Sequence, residues 1–314
     1  MIGLEILGTG RSLPSRRVTN EEMSRTVDTS DEWIATRTGI RQRYFCTPEE
    51  TNAQLAAQAA RLAMERAGVT GSQIGLCVAA TFTPDYSTPS LACTIQQQLE
   101  LPGVAPCFDV NAACTGFLVA LETARGLLLG GALPAPYALV VGSEKLSRVI
   151  DFTDRSTCVL FGDGAGAAVV RLAPDRRYAA VLGSKGDPSI LYARADREDP
   201  FLHMEGREVF RFAVEAIPFC MAQVLDRAGM ELQDIHHVVC HQANSRIIDH
   251  VVKKLGEDPA KFYRNMDRYG NTSSASIPIA LDELLEQGQI LPGQRVLCVG
   301  FGAGLTWGGI LLQF

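Results

Sequence analysis

A sequence pattern that recurs 161 residues further along constrains the fold of this 314-residue chain most strongly. The segment 64–68 (MERAG) returns as 225–229 (LDRAG). In each copy, apolar residues at helical spacing precede the segment, a glycine closes it, and a short apolar strand follows, over 75–80 and 237–240. A helix–glycine–strand unit that occurs twice, about half a chain apart, predicts a duplicated architecture.

A second correspondence follows in the same order. Segment 117–122 (FLVALE) resembles 277–282 (IPIALD), and each leads through a Gly/Pro turn into a buried strand. We therefore predict two α/β halves, 1–172 and 173–314, related by pseudo-twofold symmetry. Loops of the two halves should meet near the central axis and form a single active site there.

Composition excludes several classes of protein. The chain is 46% hydrophobic and 20% charged, which is typical of a globular protein and excludes a disordered or collagenous one. A net charge of −6 disfavours nucleic acid as a partner, so a basic docking surface must be a local patch. The uncharged stretches 126–143 and 296–314 contain glycines or prolines, so we interpret them as buried strands and turns rather than membrane spans.

The nine cysteines form no CxxC pair and no Cys/His cluster at the spacing of metal ligands. Most lie in apolar runs and are expected to be small buried side chains. The opening residues show no basic segment followed by an apolar run, so we expect no secretory signal. We predict a cytoplasmic protein that uses neither a metal nor a redox cofactor.

Cys114 differs from the other cysteines in its context. A strand ends before it, small residues make a tight bend around it, and an apolar helix begins behind it. A thiol at a helix N-terminus is expected to have a lowered pKa, because the helix dipole favours the thiolate. We predict that Cys114 is a nucleophile.

Two polar residues of the second half are further candidates. His241 comes directly after the predicted strand 237–240 and is either an acid/base group or a structural histidine. Asn271 precedes the helix that corresponds to the one behind Cys114, and it is either part of a turn and helix cap or a site residue. Pseudo-symmetry places Asn271 opposite the Cys114 loop.

Two glycine-rich segments, 162–166 and 300–304, resemble nucleotide-binding loops only superficially. Ten residues follow Gly304, too few for a crossover helix and a second strand, and 162–166 lacks the Lys-Ser/Thr of a phosphate loop. We interpret both segments as tight turns whose backbone N–H groups are available as an oxyanion hole.

Six motifs spread along the whole chain carry a family resemblance: 31–40 (DEWIATRTGI), 113–116 (ACTG), 153–155 (TDR), 241–244 (HQAN), 269–273 (YGNTS) and 300–308 (GFGAGLTWG). Together they resemble the β-ketoacyl-acyl carrier protein synthase III family. The resemblance implies a thiolase-like, five-layered αβαβα sandwich of two duplicated halves, and a homodimer. It also implies decarboxylative Claisen condensation of an acyl-CoA primer with malonyl-acyl carrier protein, which initiates type II fatty-acid synthesis.

The resemblance also implies residue roles. Cys114 is the acylated nucleophile, and His241 and Asn271 bind the thioester oxygen of the malonyl group. The backbone N–H groups of Cys114 and Ala303 hold the oxygen of the first thioester. Coenzyme A, which is a substrate rather than a cofactor, is expected at Thr29, Trp33, Arg37, Arg155, Gly206, Asn244 and Arg246.

The acyl pocket is expected to include Thr88 and Phe301. Thr88 stands where the family often has a phenylalanine. The resemblance implies that its segment reaches the acyl pocket of the partner subunit. A smaller side chain there would enlarge the pocket, so we predict that the enzyme accepts primers longer or bulkier than acetyl. Tyr86 or Leu202 is the alternative filler of that space. Ala303 replaces a frequent glycine, so its φ must be negative or strained.

The helix after His241 is predicted to bury its apolar residues and to leave its basic residues outward. The inward set is Ile247, Ile248, Val251, Val252 and Leu255. The basic patch is Arg246, Lys253 and Lys254, with Arg211 nearby. Its charges are either a docking surface for acyl carrier protein or a solvated helix face.

Three competing functions are considered. A related condensing enzyme or non-decarboxylating acyltransferase of secondary metabolism is the principal alternative. Thiolases and elongating synthases are disfavoured, because they have a second histidine or cysteine where Asn271 stands. A non-catalytic acyl-binding protein is disfavoured, because Cys114, His241 and Asn271 are all present.

Overall fold

The computed structural model of the protein describes residues 2–195 and 198–314. Its strands are β1 (Gly3–Ser12), β2 (Arg16–Thr19), β3 (Gln42–Phe45), β4 (Ile74–Ala80), β5 (Cys107–Val110), β6 (Tyr137–Glu144), β7 (Gly164–Ala173), β8 (Ala179–Asp187), β9 (Leu191–Ala193), β10 (Leu202–Met204), β11 (His237–Cys240), β12 (Arg295–Gly302) and β13 (Gly304–Gln313). Its α-helices are α1 (Asn20–Met23), α2 (Asp31–Thr38), α3 (Asn52–Ala67), α4 (Leu91–Leu99), α5 (Gly116–Leu129), α6 (Arg155–Cys158), α7 (Gly206–Ala228), α8 (Ser245–Leu255), α9 (Met266–Tyr269) and α10 (Ser276–Glu286).

The two large sheets share one topology over four strands. The first has the order β1-β7-β6-β4-β5, and the second has the order β8-β13-β12-β11. The pairs β4/β6 and β11/β12 are parallel, whereas the other matched pairs are antiparallel. Strand β5 has no counterpart and leaves an open edge on the first sheet. The predicted duplication is therefore present in the strand order.

Helices and sheets alternate in five layers. Helices α3 and α4 cover the outer face of the first sheet, α5 and α10 lie between the sheets, and α7 and α8 cover the second. Along β4, Cys77 and Ala79 pack towards α3, whereas Leu76 and Val78 pack in the central layer. Because both faces are covered, the inner strands β4, β6 and β12 are nearly continuous apolar runs in the sequence.

The recurring five-residue segment forms the C-terminal ends of α3 and α7. Each copy closes with a glycine in the left-handed conformation, with φ of 64° and 61°, which glycine adopts without strain. Arg66 donates to the carbonyl of Thr9 on β1 (3.2 Å), and Arg227 donates to the carbonyl of Ala180 on β8 (2.7 Å). The arginine thus fastens each helix to the edge strand of its own sheet.

A buried carboxylate joins the two halves. Asp282 of α10 is fully buried and accepts hydrogen bonds from the Thr9 hydroxyl (2.8 Å) and from the guanidinium groups of Arg11 and Arg66 (2.5 Å each). Two cations compensate a charge that would be costly to bury alone. The contact orients α10, which begins beside the site described below.

The glycine-rich segment 162–166 is not a turn. Strand β7 begins at Gly164, and Gly166 pairs with Gly142 of β6. A Cβ added at Gly166 would lie 2.8 Å from the backbone nitrogen of Ile279 in α10. The glycine therefore permits close packing of a helix on a strand, and the prediction of a turn that offers an oxyanion hole was wrong here.

The two uncharged stretches differ in structure. Residues 296–314 contain β12 and β13, as predicted. Residues 126–143 contain the last turn of α5 as well as most of β6, so the prediction of strands was wrong for their first four residues. In the part of the chain that the structure describes, no helix is long and apolar enough to cross a membrane.

Candidate active site

Two 3-10 turns, one from each half, meet between the sheets. The first is Ala113–Thr115, directly before α5, and the second is Ser273–Ala275, directly before α10. Each begins with a non-glycine residue in the left-handed region, with φ of 45° and 50°. A Cβ added at Gly116 would lie 3.3 Å from the Cβ of Ser274. Loops of the two halves therefore meet as the pseudo-symmetry predicted.

Cys114 lies in the first of these turns and is 7% exposed. Burial raises the pKa of its thiol to about 12. The Ser273 hydroxyl opposes this increase, and the Glu144 carboxylate adds to it. The prediction of a lowered thiol pKa was wrong, because the cost of removing a thiolate from water outweighs the stabilisation expected at the start of α5.

This pKa has a measurable consequence. Between pH 7 and pH 10 the alkylation rate of Cys114 by iodoacetamide should rise about tenfold per pH unit, since the thiolate fraction does so below the pKa. Peptide mass spectrometry after timed quenching measures the rate at this one cysteine. A plateau below pH 8 would show that the helix dipole dominates after all.

His241 is placed by the end of β11. Its backbone N–H donates to the carbonyl of Val299 (2.8 Å), and its ring packs edge-on against Phe301 with 5.3 Å between ring centroids. The side chain is buried, and burial lowers the pKa of the imidazole to about 3. The ring is therefore neutral at pH 7 and has one N–H donor.

Asn271 is held by backbone pairing across the halves. Its N–H donates to the carbonyl of Leu160 (2.9 Å), and its carbonyl accepts from the N–H of Gly162 (3.0 Å). Its side-chain oxygen accepts from the N–H of Ser273 (2.9 Å). Since that oxygen is occupied, the NH₂ group is the part of the amide that remains to donate.

A cavity of about 620 Å³ opens onto these residues. Of the residues predicted for the site, it is lined by Cys114, Gly206, His241, Asn244, Asn271, Phe301 and Ala303. The Gly302 backbone approaches Cys114 so closely that an added Cβ would lie 2.8 Å from its backbone nitrogen. The β12–β13 turn is therefore a tight turn beside the nucleophile candidate, as predicted. Ala303 has no positive φ, so its methyl group is accommodated without strain.

The remaining predicted contacts of coenzyme A lie outside the cavity lining. The Arg155 guanidinium lies 5.0 Å from the centroid of the Trp33 ring, which is 37% exposed. The Asn244 amide donates to the carbonyl of Arg37 (3.2 Å). The Thr29 hydroxyl is buried and has no hydrogen-bond partner among the residues that the structure describes. Asn244 of the cavity wall is thus bonded to Arg37 outside the cavity, whereas the predicted Arg246 is exposed and does not line the cavity.

The basic patch lies on α8 as predicted. Ile247, Ile248, Val251 and Val252 are buried, Leu255 is half-buried, and Arg246, Lys253 and Lys254 are exposed. Arg211 is paired with Glu208, and the Lys254 ammonium donates to the carbonyl of Val214 (3.4 Å). Among the residues that the structure describes, the charged groups of Arg246 and Lys253 have no such partner, so these two charges are the most accessible of the four.

Thr88 does not line the cavity of its own chain. It is exposed, as are its neighbours Tyr86 and Ser87. Leu202, by contrast, lines the cavity. This agrees with the alternative interpretation, in which Leu202 fills the space that a phenylalanine at position 88 would occupy. A role for Thr88 in the acyl pocket therefore depends on a second subunit and stays a prediction.

The sequence interpretation missed the short β9–β10 hairpin. It contributes much of the cavity wall, through Leu191, Tyr192, Ala193, Leu202 and Met204. Its strands have three residues each, too few for a periodic signal. No residue motif in this region would have identified it.

Glu144 was also missed. It is fully buried at the end of β6, and burial raises the pKa of its carboxyl to about 7. Its carboxylate accepts hydrogen bonds from both halves, with donors on Thr81, Phe82, Thr83, Ser273 and Ser274. A carboxylate at the end of an apolar strand is a signal that would have found it.

All nine cysteines are free. Within residues 2–195 and 198–314, no group of three or more His, Cys, Asp or Glu side chains is arranged to hold a metal ion.

Two family models match the chain. The model of 3-oxoacyl-[acyl-carrier-protein (ACP)] synthase III matches residues 108–186, and the model of its C-terminal part matches 225–314. The β-ketoacyl-[acyl-carrier-protein] synthase III of Clostridium acetobutylicum is 44% identical, over 100% of this chain and 99% of that protein. The Symbiobacterium thermophilum protein of the same name is 45% identical, over 98% and 97%. The chain belongs to the β-ketoacyl-acyl carrier protein synthase III family.

Solved structures of the family superpose on nearly the whole chain. The 3-oxoacyl-[acyl-carrier-protein] synthase III of Aquifex aeolicus VF5 has a TM-score of 0.94 at 42% identity, covering 99% of this chain and 100% of that one. The priming β-ketosynthase of the R1128 polyketide biosynthetic pathway has a TM-score of 0.93 at 38% identity, covering 99% and 96%. The predicted family and thiolase-like fold are confirmed, and the protein is a condensing acyltransferase.

Proposed function

We propose that Cys114, His241 and Asn271 join an acyl group from coenzyme A to malonyl carried on acyl carrier protein, with loss of CO₂. The observation that carries this proposal is the convergence of the three side chains on one 620 Å³ cavity, from both halves of the fold. A thiol supplies a nucleophile, and two neutral donors supply an oxyanion site. The protein then initiates type II fatty-acid synthesis.

In the first half-reaction, the Cys114 sulfur attacks the thioester carbon of acyl-CoA. The acyl–sulfur bond to coenzyme A breaks, a new thioester forms on Cys114, and the thiol proton leaves with coenzyme A. The backbone N–H groups of Cys114 and Ala303 stabilise the oxygen that becomes negative. Because the resting thiol has a raised pKa, we place deprotonation in the step that binds the substrate rather than in the free enzyme.

In the second half-reaction, malonyl-acyl carrier protein loses CO₂ and becomes an enolate. The negative thioester oxygen accepts hydrogen bonds from the imidazole N–H of His241 and the NH₂ of Asn271. The enolate carbon then attacks the acyl carbon on Cys114. The bond between that carbon and the Cys114 sulfur breaks, 3-oxoacyl-acyl carrier protein is released, and the sulfur takes up a proton from water to restore the thiol. Both donors are neutral, so neither needs a counter-ion in the buried site.

We assign the surface pair Trp33 and Arg155 to coenzyme A. A stacked indole and guanidinium offer a flat face for an adenine ring and a cation for phosphate. Gly206 and Asn244 then line the pantetheine tunnel between this surface and Cys114, with Thr29, Arg37 and Arg246 around it. Acyl-CoA and malonyl-acyl carrier protein are substrates, and we propose no further cofactor.

We propose that the protein is a cytoplasmic homodimer. Within each subunit, the first half is 1–172 and the second half is 173–314. Strand β5 is an open sheet edge, and exposed Tyr86 and Val104 add apolar area. An unpaired edge of this kind favours pairing with a second copy. Light scattering coupled to size-exclusion chromatography measures the stoichiometry, and a monomer at micromolar concentration would contradict the homodimer.

Intact-mass measurement with a panel of acyl-CoAs tests the function. Incubation should add one acyl group per chain, and later addition of malonyl-acyl carrier protein should remove it as 3-oxoacyl product. Cys114→Ala is the control for uptake at the proposed position. A chain that takes up no acyl group from any primer, or that keeps it when malonyl carrier is added, would contradict the assignment.

A priming synthase of secondary metabolism is a second candidate, favoured by the 38% identity to the R1128 priming ketosynthase. The two functions differ in the carrier protein that receives the product. Condensation rates with a fatty-acid carrier and with a polyketide carrier, both loaded with malonyl, distinguish them. A strong preference for the polyketide carrier would favour the second candidate.

The primer is expected to be longer or bulkier than acetyl. In the proposed homodimer, Thr88 of one subunit reaches the acyl pocket of the partner subunit, where a side chain smaller than phenylalanine leaves room for added methylenes. Each methylene is worth ~0.8 kcal/mol when buried, so two contribute ~1.6 kcal/mol or about fifteenfold in binding. Thr88→Phe should therefore reduce the rate with octanoyl-CoA more than the rate with acetyl-CoA. Ser87→Phe, which adds the same ring one position earlier, is the control. Equal rates for wild type and Thr88→Phe across the panel would exclude Thr88 from the pocket.

The basic patch is expected to bind the acidic carrier protein. Lys253→Glu with Lys254→Glu should raise KM for malonyl-acyl carrier protein by roughly tenfold at low salt, and less at high salt, because exposed charges are screened. KM for acyl-CoA should stay unchanged. Arg61→Glu on α3, which packs on the opposite outer layer, tests the effect of charge alone. An unchanged carrier KM would assign the patch to a solvated helix face.

A further inference from the structure

A polar side chain outside the proposed catalytic set contacts the imidazole of His241. The hydroxyl of Ser276, the first residue of α10, lies 2.7 Å from Nδ1 of His241. Each of these two side chains is 2% exposed, so water does not compete for the contact. The roles assigned above make no use of Ser276.

The direction of this hydrogen bond determines where the imidazole carries its proton. The backbone N–H of Gln242 donates to Ser276 Oγ at 3.5 Å, so that oxygen acts there as an acceptor. The hydroxyl proton then needs an acceptor of its own, and among the described residues only His241 Nδ1 lies within hydrogen-bond distance. The reverse bond, from Nδ1–H to Oγ, would leave a buried hydroxyl proton without an acceptor.

We propose that Ser276 is a positioning residue that donates to Nδ1 of His241 and thereby holds the imidazole as the tautomer protonated on Nε2. A neutral imidazole has a single N–H donor, and this arrangement assigns it to the nitrogen that Ser276 does not contact. An Nε2–H donor is what the enolate oxygen needs, so the inference rests on the function proposed above.

Gln242 and Ser276, whose contact sets the direction of the hydrogen bond to His241, are both held in place by the protein itself, without a bound substrate. Gln242 is anchored by its side chain, which donates to the carbonyls of Cys240 (2.8 Å) and Tyr263 (3.1 Å) and accepts from the N–H of Asn265 (2.9 Å). Ser276 is held by α10. The contact is therefore built into the fold, and the tautomer is selected before malonyl-acyl carrier protein binds.

Nitrogen NMR of the free enzyme tests the tautomer directly. With ¹⁵N-labelled histidine the chain gives five imidazole spin systems, and His241→Ala identifies the one of interest. At pH 7 the expected spectrum is that of a neutral ring with the proton on Nε2. A ring protonated on Nδ1, or on both nitrogens, overturns the proposal whatever the activity is.

Ser276 variants test the consequence. Ser276→Ala should reduce malonyl decarboxylation by roughly 10- to 100-fold, the scale on which partners that orient a histidine act, and leave acylation of Cys114 unchanged. Ser276→Thr retains the hydroxyl and should recover the wild-type tautomer and most of the rate. Thr123→Val, which removes a hydroxyl that bonds within α5, measures the effect of losing an unrelated hydroxyl.

The outcomes separate the inference from the proposed function. The role of Ser276 is overturned if the Ser276→Ala enzyme decarboxylates malonyl at the wild-type rate. It is also overturned if the Ser276→Thr enzyme keeps the wild-type tautomer but is as slow as Ser276→Ala. A wild-type enzyme that takes up acyl groups but never decarboxylates malonyl contradicts the proposed function instead. The tautomer measured in the free enzyme stands independently of that result.

Discussion

Cys114→Ser is expected to take up no acyl group from any acyl-CoA and to lose condensation by roughly 10⁴-fold or more, the scale seen when a covalent nucleophile is removed. The reason is chemical rather than steric. Serine has nearly the same shape, but its hydroxyl is far harder to deprotonate than even the buried thiol, whose pKa is about 12. Intact mass measures uptake, and product formation measures condensation.

Cys93→Ser is the matched control for this variant. Cys93 is half-buried, lies outside the cavity and donates to a backbone carbonyl, which a serine hydroxyl also does. It should retain acyl uptake and condensation. An acyl adduct that persists in Cys114→Ser, or that maps to another of the nine cysteines by peptide mass, would remove Cys114 from the role of nucleophile.

His241→Ala and Asn271→Ala are expected to reduce malonyl decarboxylation by about 10²–10³-fold each and to leave Cys114 acylation within a few-fold of wild type. One hydrogen-bond donor to a developing oxyanion is worth roughly 2.7–4 kcal/mol, which corresponds to this loss. The two half-reactions are measured separately, as acyl uptake by intact mass and as CO₂ release from malonyl-acyl carrier protein.

Two further variants distinguish the loss of a donor from general damage. Asn271→Asp keeps the shape but replaces the NH₂ group by an acceptor, so it should lose as much decarboxylation as Asn271→Ala. His237→Ala removes a half-buried histidine from the other end of β11 and should change neither half-reaction. If His241→Ala or Asn271→Ala lost Cys114 acylation as well as decarboxylation, the assignment of these two residues to the second half-reaction alone would be wrong.

Much of the fold follows from the sequence. The recurring segment 64–68 and 225–229 predicts two related halves, because a helix end closed by glycine and followed by a strand is a local pattern that the sequence encodes directly. The strands 75–80 and 237–240 agree with β4 and β11 to within one residue. The candidates Cys114, His241 and Asn271 are found because each stands beside the end of a strand or the start of a helix.

Other features depend on contacts between residues far apart in the chain. Gly166 is a strand residue rather than a turn, because α10 packs against it from more than a hundred residues away. The β9–β10 hairpin and Glu144 contribute to the site through contacts that no local pattern encodes.

The sequence by itself determined the duplicated α/β architecture and singled out Cys114, His241 and Asn271 as candidates for the reactive groups, because local periodicity, caps and motifs encode them. Only the tertiary structure decided their chemical state. Cys114 is the clearest case, since its position before α5 predicts a lowered pKa and its burial raises that pKa to about 12. His241 is the second, since its neutrality and its contact with Ser276 come from packing of β11 against α10. Desolvation and hydrogen bonding depend on which atoms surround a group, and that is settled only when distant segments pack together.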